Sequence, residues 1–331
     1  MKTGLIGIHL GQERCKLVQL ANDKDKFQVV EMISVPTPDD SFSNGIIKAP
    51  RVLGDAIGRA VSSSKFIGRK AVIAYPTETL KIQTFHLQDS GNLDQVIAHR
   101  LSQMAFDNPA ELTFDYKIIA KEMGRVKATV AITNKRHIER IKEFAQEAKI
   151  NLVSTDLEML SVHRLVSSSY RLGKDPSIIA LVSDGVVKLS IFIDKVQSSV
   201  KTLDLYATEA RKQPKLLATE IGRFLEEYSR ENLVAGETAI FLAGLPEPDF
   251  EIEKVVWETL GLRTTSIRWC EAFTVSNTYG NFQELATRFG AFSSALGLAV
   301  LDLTWPENFR SPITVDVRQE GFKGDLLKFA V

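Results

Sequence analysis

Two glycine turns and one lysine carry the chemistry this sequence could perform. Gly4-Leu-Ile-Gly7-Ile-His9-Leu-Gly11-Gln-Glu-Arg-Cys15-Lys16-Leu-Val-Gln-Leu20 reads as strand, glycine turn and strand, the shape of a hairpin that grips phosphate. Gly11 permits a positive φ and close backbone approach to a phosphate oxygen. A second copy runs Ser177-Ile-Ile-Ala-Leu-Val-Ser183-Asp184-Gly185-Val-Val-Lys188-Leu-Ser-Ile-Phe-Ile193, and aligning Gly185 with Gly11 sets Ser183 opposite His9. Turn amides bind anions without any acid present, so Gly11, Gly185 and a third glycine, Gly244, together with the Lys16 cation could hold phosphates. A magnesium ion is harder to accommodate. It prefers carboxylate, phosphate and water oxygens, and imidazole at His9 is a poor ligand for it. Two alternatives stay open: an ordinary β-hairpin for the first segment, and for Asp184 a turn residue or a displaced ligand, because a shift of one residue moves a side chain to the opposite face.

The two segments resemble the phosphate hairpins of the actin, Hsp70 and sugar-kinase superfamily, whose apolar-Gly-apolar-Asp-apolar-Gly pattern holds hydrated magnesium through the aspartate. Gly7-Ile-His9-Leu-Gly11 keeps the turn and lacks the acid. Thr238-Ala-Ile-Phe-Leu-Ala243-Gly244-Leu245-Pro246 resembles the superfamily's adenosine turn, with Leu245 expected to project toward the nucleoside space. A buried strand followed by a proline turn fits that segment equally well.

The elements that would position these residues alternate between strand and helix, an α/β arrangement. Phe27–Val35 reads as a third strand and Pro36–Gly45 as a loop. Val52, Ala56, Ala60 and Val61 have helical spacing and lead to the strand Ala71–Tyr75. Leu80–Leu87 is strand-like, and Leu93, Val96, Ile97, Leu101 and Met104 share one helical face. Strands at Phe114–Ala120 and Lys127–Thr133 follow, then a helix with Ile138, Ile141, Phe144, Ala145 and Ala148 on one face, and a strand at Asn151–Asp156. That order is a ferredoxin-like layout, read as an inserted subdomain. The second half is lean: three strands from Ile178 to Leu203, one amphipathic helix through Leu217, Ile221, Phe224, Leu225 and Tyr228, and a strand from Ala239. A helix through Ile252, Val255, Val256 and Leu260 ends at Gly261, and a terminal helix spans Leu285–Leu301. The expected divisions are residues 1–77, the first part of an actin-like lobe; 78–157, the insert; 158–301, a reduced second lobe returning to the first; and 302–331, a tail.

Composition narrows the function classes. With 41 basic and 41 acidic residues there is no electrostatic footprint for nucleic acid. The first twenty residues lack a basic segment followed by an apolar core, so no signal peptide is expected. Cys15 and Cys270 lie far apart, without metal-ligand spacing, and fit a reducing compartment. The histidines His9, His86, His99, His137 and His163 form no short-spaced ligand or triad pattern.

The succession of hairpin, proline loop, insert with Ala71-Val-Ile-Ala-Tyr-Pro76, Val153-Ser-Thr-Asp156, second hairpin and Ala295-Leu-Gly-Leu298 resembles PilM, and is similar to the cytoplasmic half of GspL. The resemblance covers Gly4 to Leu301 and implies an actin-like, ribonuclease H-like duplicated fold. It implies a cytoplasmic scaffold at the inner membrane for type IV pilus or type II secretion assembly. Its partners would be a PilN-like membrane protein or fused membrane segment, an assembly ATPase like GspE or PilB, and, as an open point, a second copy in a homodimer. The departures at His9, Ser183 and Leu245 and in the short second lobe all fall on the nucleotide site, which implies no catalytic residues, no metal and no cofactor. Gly11, Lys16, Gly185 and Gly244 would then line a degenerate pocket. The alternative is a switch that retains ATP and magnesium binding with little hydrolysis. A sugar or acetate kinase would need a carboxylate base, and none is evident. Ile313–Phe322 resembles the stretch before the transmembrane helix of fused members, with an ordinary tail as the other reading.

Overall fold

The computed structural model of the protein describes residues 2–23, 26–89, 91–104, 108–170, 172, 175–183, 185–193, 196–231, 236–245, 247, 249–275, 282–304 and 314–316. In chain order the elements are β1 (Lys2–His9), β2 (Arg14–Asp23), β3 (Lys26–Pro36), the short β4 (Phe42–Ser43) and β5 (Ile46–Ile47), α1 (Pro50–Ser63), β6 (Lys70–Tyr75), β7 (Lys81–Gln88), α2 (Leu93–Ser102), β8 (Leu112–Glu122), β9 (Arg125–Asn134), α3 (Lys135–Glu147) and β10 (Asn151–Leu157). Then come α4 (Glu158–Tyr170), β11 (Ser177–Leu181), β12 (Val186–Ile193), β13 (Val196–Tyr206), α5 (Ala207–Lys212), α6 (Pro214–Glu231), β14 (Ala239–Ala243), α7 (Phe250–Leu260), β15 (Arg263–Ser266), β16 (Phe273–Val275), α8 (Phe282–Arg288), α9 (Ser293–Thr304) and β17 (Thr314–Asp316).

Two mixed sheets form the frame. The first runs β16-β3-β2-β1-β6-β10-β17 and the second β13-β12-β11-β14-β15. In both, a three-strand antiparallel meander is followed by two parallel strands, β3-β2-β1-β6-β10 in one and β13-β12-β11-β14-β15 in the other. Strands in such sheets are apolar on both faces because helices cover both. Ile6, Ile8 and Leu17 meet α1 and α3 through Ile57, Phe144 and Ala145, while Val18 and Leu20 face inward. In the second sheet Ile178, Ala180 and Val182 pack on α6 and α7 through Leu217, Ile221, Ile252 and Val256, while Ile179 and Leu181 face inward. The layer between the sheets holds α4 and α9.

Those two helices cross at glycine. A Cβ on Gly297 would lie 1.8 Å from the Ser161 carbonyl oxygen, and one on Gly7 would lie 2.2 Å from that of Ala295. No side chain fits at either position, so α9 rests directly on α4 and on β1.

Several expectations change. The helix around residue 55 buries Leu53, Gly54, Ile57 and Val61, while Val52 is exposed. The cause is α3: a Cβ on Gly54 would approach Glu147 Cβ within 2.6 Å, so the small residue turns toward the neighbouring helix. The strand and helix order expected across the insert is present, but its last strand, β10, pairs with β6 in the first sheet. Its second helix, α3, packs on that sheet's outer face with α1. The three strands β7-β9-β8 and α2 therefore have a separate core, built from Phe85, Leu87, Ile97, Leu101, Val130 and Ile132. Two helices, α5 and α6, stand where one was expected, and the terminal helix is divided by a 3-10 turn at Phe289–Phe292. Of the tail beyond α9, only β17 is described, and it pairs antiparallel with β10. The other residues of that stretch lie outside the described set.

Candidate functional site

The two glycine hairpins face each other across the middle layer. A side chain added at Gly185 would first meet Gln12 Oε1 of the opposite turn, at 3.9 Å. Gly185 has φ 95° and Gly244 φ 82°, conformations that favour glycine. Gly11 is not among the positive-φ glycines; its carbonyl accepts a hydrogen bond from Thr37 Oγ1 at 2.7 Å. Lys16 pairs in register with His9 and is buried on the same inward face.

Gly244 lies against the second hairpin. A Cβ there would lie 2.8 Å from Ser183 Cβ and 2.9 Å from Ser183 N, so the backbone of the second hairpin already occupies that side. Leu245 departs from its expected role: it is buried in the core that β14 shares with α6 and α7. Ser183 is buried at the end of the first strand of its hairpin, while Asp184 and Pro246 lie outside the described residues.

Strand periodicity builds the centre of the cleft. Val187, Leu189 and Ile191 point to the outer core, so Lys188 points inward, as His9 does from β1. Between them α4 begins, and its first residue, Glu158, is 1% exposed. His9 Nε2–H donates to Glu158 Oε1 at 2.8 Å. Lys188 Nζ donates to Glu158 Oε2 at 2.7 Å and approaches Glu78 Oε1 at 3.0 Å. Thr77 Oγ1 adds a hydrogen bond to Glu158 Oε2 at 3.2 Å. Burial alone would raise the Glu158 pKa, but the Lys188 charge and the His9 contact outweigh it and hold the carboxyl well below its usual range. Burial likewise works against the Lys188 ammonium, and Glu158 and Glu78 together raise its pKa. A charged pair thus persists where an isolated charge would neutralise.

The residues do not fit a magnesium site. The carboxylate between the hairpins has each oxygen engaged, one by imidazole and the other by ammonium, so a divalent cation at Glu158 would sit against the Lys188 charge. Among the described residues no group of three or more His, Cys, Asp or Glu side chains is arranged to hold a metal.

Sequence reasoning missed Glu158, Lys188, Glu78 and Thr77. Lys188 had a signal: a lone lysine in the apolar run Val186-Val-Lys-Leu-Ser-Ile must be paired when that strand is buried on both faces. Glu158 had none in its immediate sequence.

A second feature lies on the other side of the first sheet. Leu10, Ile47, Tyr75, Pro76, His137 and Ile141 line a narrow, mostly apolar pocket with about 10 Å³ of free space, enough for one water. His137, on its rim, has a pKa lowered by burial and by Arg140 and Arg136.

The two sheets and the facing hairpins form an α/β frame with the actin-like ATPase-superfamily fold. A solved PilM-PilN type IV pilus biogenesis complex matches with a TM-score of 0.75 at 16% identity, over 90% of this chain and 98% of that one. The ethanolamine utilization protein EutJ of Carboxydothermus hydrogenoformans matches with a TM-score of 0.51 at 9% identity, over 91% of this chain and 90% of that one. No curated protein matches the sequence. The family model for type IV pilus assembly protein PilM matches residues 7–200, more than half of the 331 residues. The chain belongs to that PilM family. Among the described residues no helix is long and apolar enough to cross a membrane.

Proposed function

We propose that this chain is a non-catalytic, cytoplasmic scaffold of an inner-membrane assembly platform, peripheral to that membrane, for a type IV pilus or type II secretion-like machine. Family membership supports the machine. The observation that carries the non-catalytic part is the pairing of both Glu158 oxygens by His9 and Lys188, which removes the carboxylate that magnesium-assisted phosphoryl transfer would need. The partner is a PilN-like membrane protein, by analogy with the matched complex, and an assembly ATPase is the second candidate.

The same reading takes the fold as a duplicated actin-like frame. The repeated strand order supports it, with β7, α2, β8 and β9 as the inserted subdomain, residues 158–301 as a reduced second lobe and 302–331 as a tail. Titrating the protein with a peptide from the cytoplasmic N-terminus of a PilN-like protein tests the scaffold role. Saturable binding that needs no nucleotide is expected, and binding that appears only with ATP and magnesium would refute it.

One observation favours a second reading, a nucleotide-binding switch. Among the described residues no atom lies nearer an added Cβ on Gly185 than Gln12 Oε1 at 3.9 Å, and that space beside a glycine turn is room for an anion. Phosphate binding there would be metal-independent.

A further inference from the structure

We infer that Lys188 is a built-in cation that ties the two sheets together across the cleft and holds them in one arrangement. The inference rests on the reading of the cleft as non-catalytic. Lys188 is supplied by β12 of the second sheet, and its partners come from the other side: Glu78 from the turn after β6, and Glu158 from the start of α4, which His9 of β1 anchors in turn. The lysine is buried and Glu158 more deeply so, with side chains 8% and 2% exposed. Parting the sheets would strip the buried Lys188 ammonium of both its carboxylates and leave Glu158 with His9 and Thr77 alone, a penalty that keeps the cleft shut. The arrangement therefore needs no bound ligand to hold its shape. Gly244 pressed on Ser183, and Gly7 and Gly297 pressed on their neighbouring backbones, leave little slack around the same layer.

The consequence is coupling: disturbing Lys188 should loosen both hairpins, although it belongs to one sheet. Amide hydrogen exchange of the full chain measures this segment by segment. Lys188→Met is expected to speed exchange about tenfold or more in both β1–β2 and β11–β12, leaving the β7-β9-β8 sheet unchanged. The double variant Lys188→Met/Glu158→Gln, which removes the stranded Glu158 charge along with the bridge, should keep the two-sheet pattern, and a return to parent rates would overturn the inference by showing that the stranded charge alone had loosened the sheets. Glu78→Gln, at a partly exposed partner, should show the same two-sheet pattern at smaller amplitude and serves if Lys188→Met fails to fold. Faster exchange confined to β11–β12, or no change in either hairpin, would overturn the inference. A parallel titration of the unmodified protein with magnesium and ATP separates the two claims. Tight metal-dependent binding there would refute the non-catalytic reading whatever the exchange pattern.

Discussion

Around the start of α4 lie two buried charge clusters built from the same kinds of group, and they hold different things together. Arg164 Nη2 meets Asp156 Oδ2 at 2.6 Å, and Nη1 donates to the Gly297 carbonyl at 3.1 Å. These partners sit in the first sheet or in the helices of the middle layer, so this cluster fixes the α4–α9 crossing. Glu158, two residues after Asp156, instead reaches Lys188 on the second sheet. One cluster is a staple between the first sheet and the middle-layer helices, the other a bridge that reaches on to the second sheet. What decides between them is the change of element: Asp156 lies near the end of a strand, while Glu158 opens a helix aimed at the cleft. Ion pairing by itself therefore says little about function in this fold, and the layers that a pair connects say more.

Loss of the staple should cost the most stability. Arg164→Met leaves Asp156 buried without its cation, and a loss of about 3–5 kcal/mol is expected in urea unfolding. The matching change at the bridge, Lys188→Met, should cost about 3 kcal/mol, the low end of that range, since Glu78 still touches solvent. A larger loss at the bridge than at the staple would reverse the ranking. Gly297→Ala should cost about 2–3 kcal/mol through overpacking against the Ser161 carbonyl, and its loss should be absorbed partly by Arg164→Met if the two report on one crossing.

The smallest effect, counted per unit of pH, contrasts both clusters with a carboxyl whose environment raises its pKa. Asp115, on β8, is 2% exposed, its Oδ2 has no hydrogen-bond partner, and burial pushes its pKa up to about 9. A carboxyl raised in the folded state favours folding fully only below its unfolded value of 3.8, and that contribution is lost as pH rises toward about 9. Stability should therefore fall between about pH 5 and pH 8 by about 1 kcal/mol per unit or less. Asp115→Asn should flatten the slope, which urea midpoints across that window would show.

How much of this was legible depended on where each element lies. The helix α3 shows one apolar stripe, Ile138, Ile141, Phe144 and Ala145, because its other face is wet, and the stripe names the buried set correctly. The turn ending α7 was equally plain, with Gly261 at φ 68°. Helix α4 was invisible for the opposite reason. Buried along most of its length, it mixes Met159, Val162 and Leu165 with Glu158, Ser161, His163 and Arg164, whose polar groups find partners inside the protein, so no stripe appears. The first residue of that unseen helix is Glu158, and the site's centre was lost with it. The hairpins were found because glycine turns are local signals. The bridge between them was not, since His9, Glu78, Glu158 and Lys188 meet only after two sheets have formed and closed on one helix.

On the proposed function, the chain's own charges occupy the cleft in place of a metal and nucleotide. Isothermal titration of the unmodified protein with ATP and magnesium tests it most directly. No magnesium-dependent binding is expected up to millimolar nucleotide, and saturable binding that is lost when magnesium is withdrawn would refute that reading.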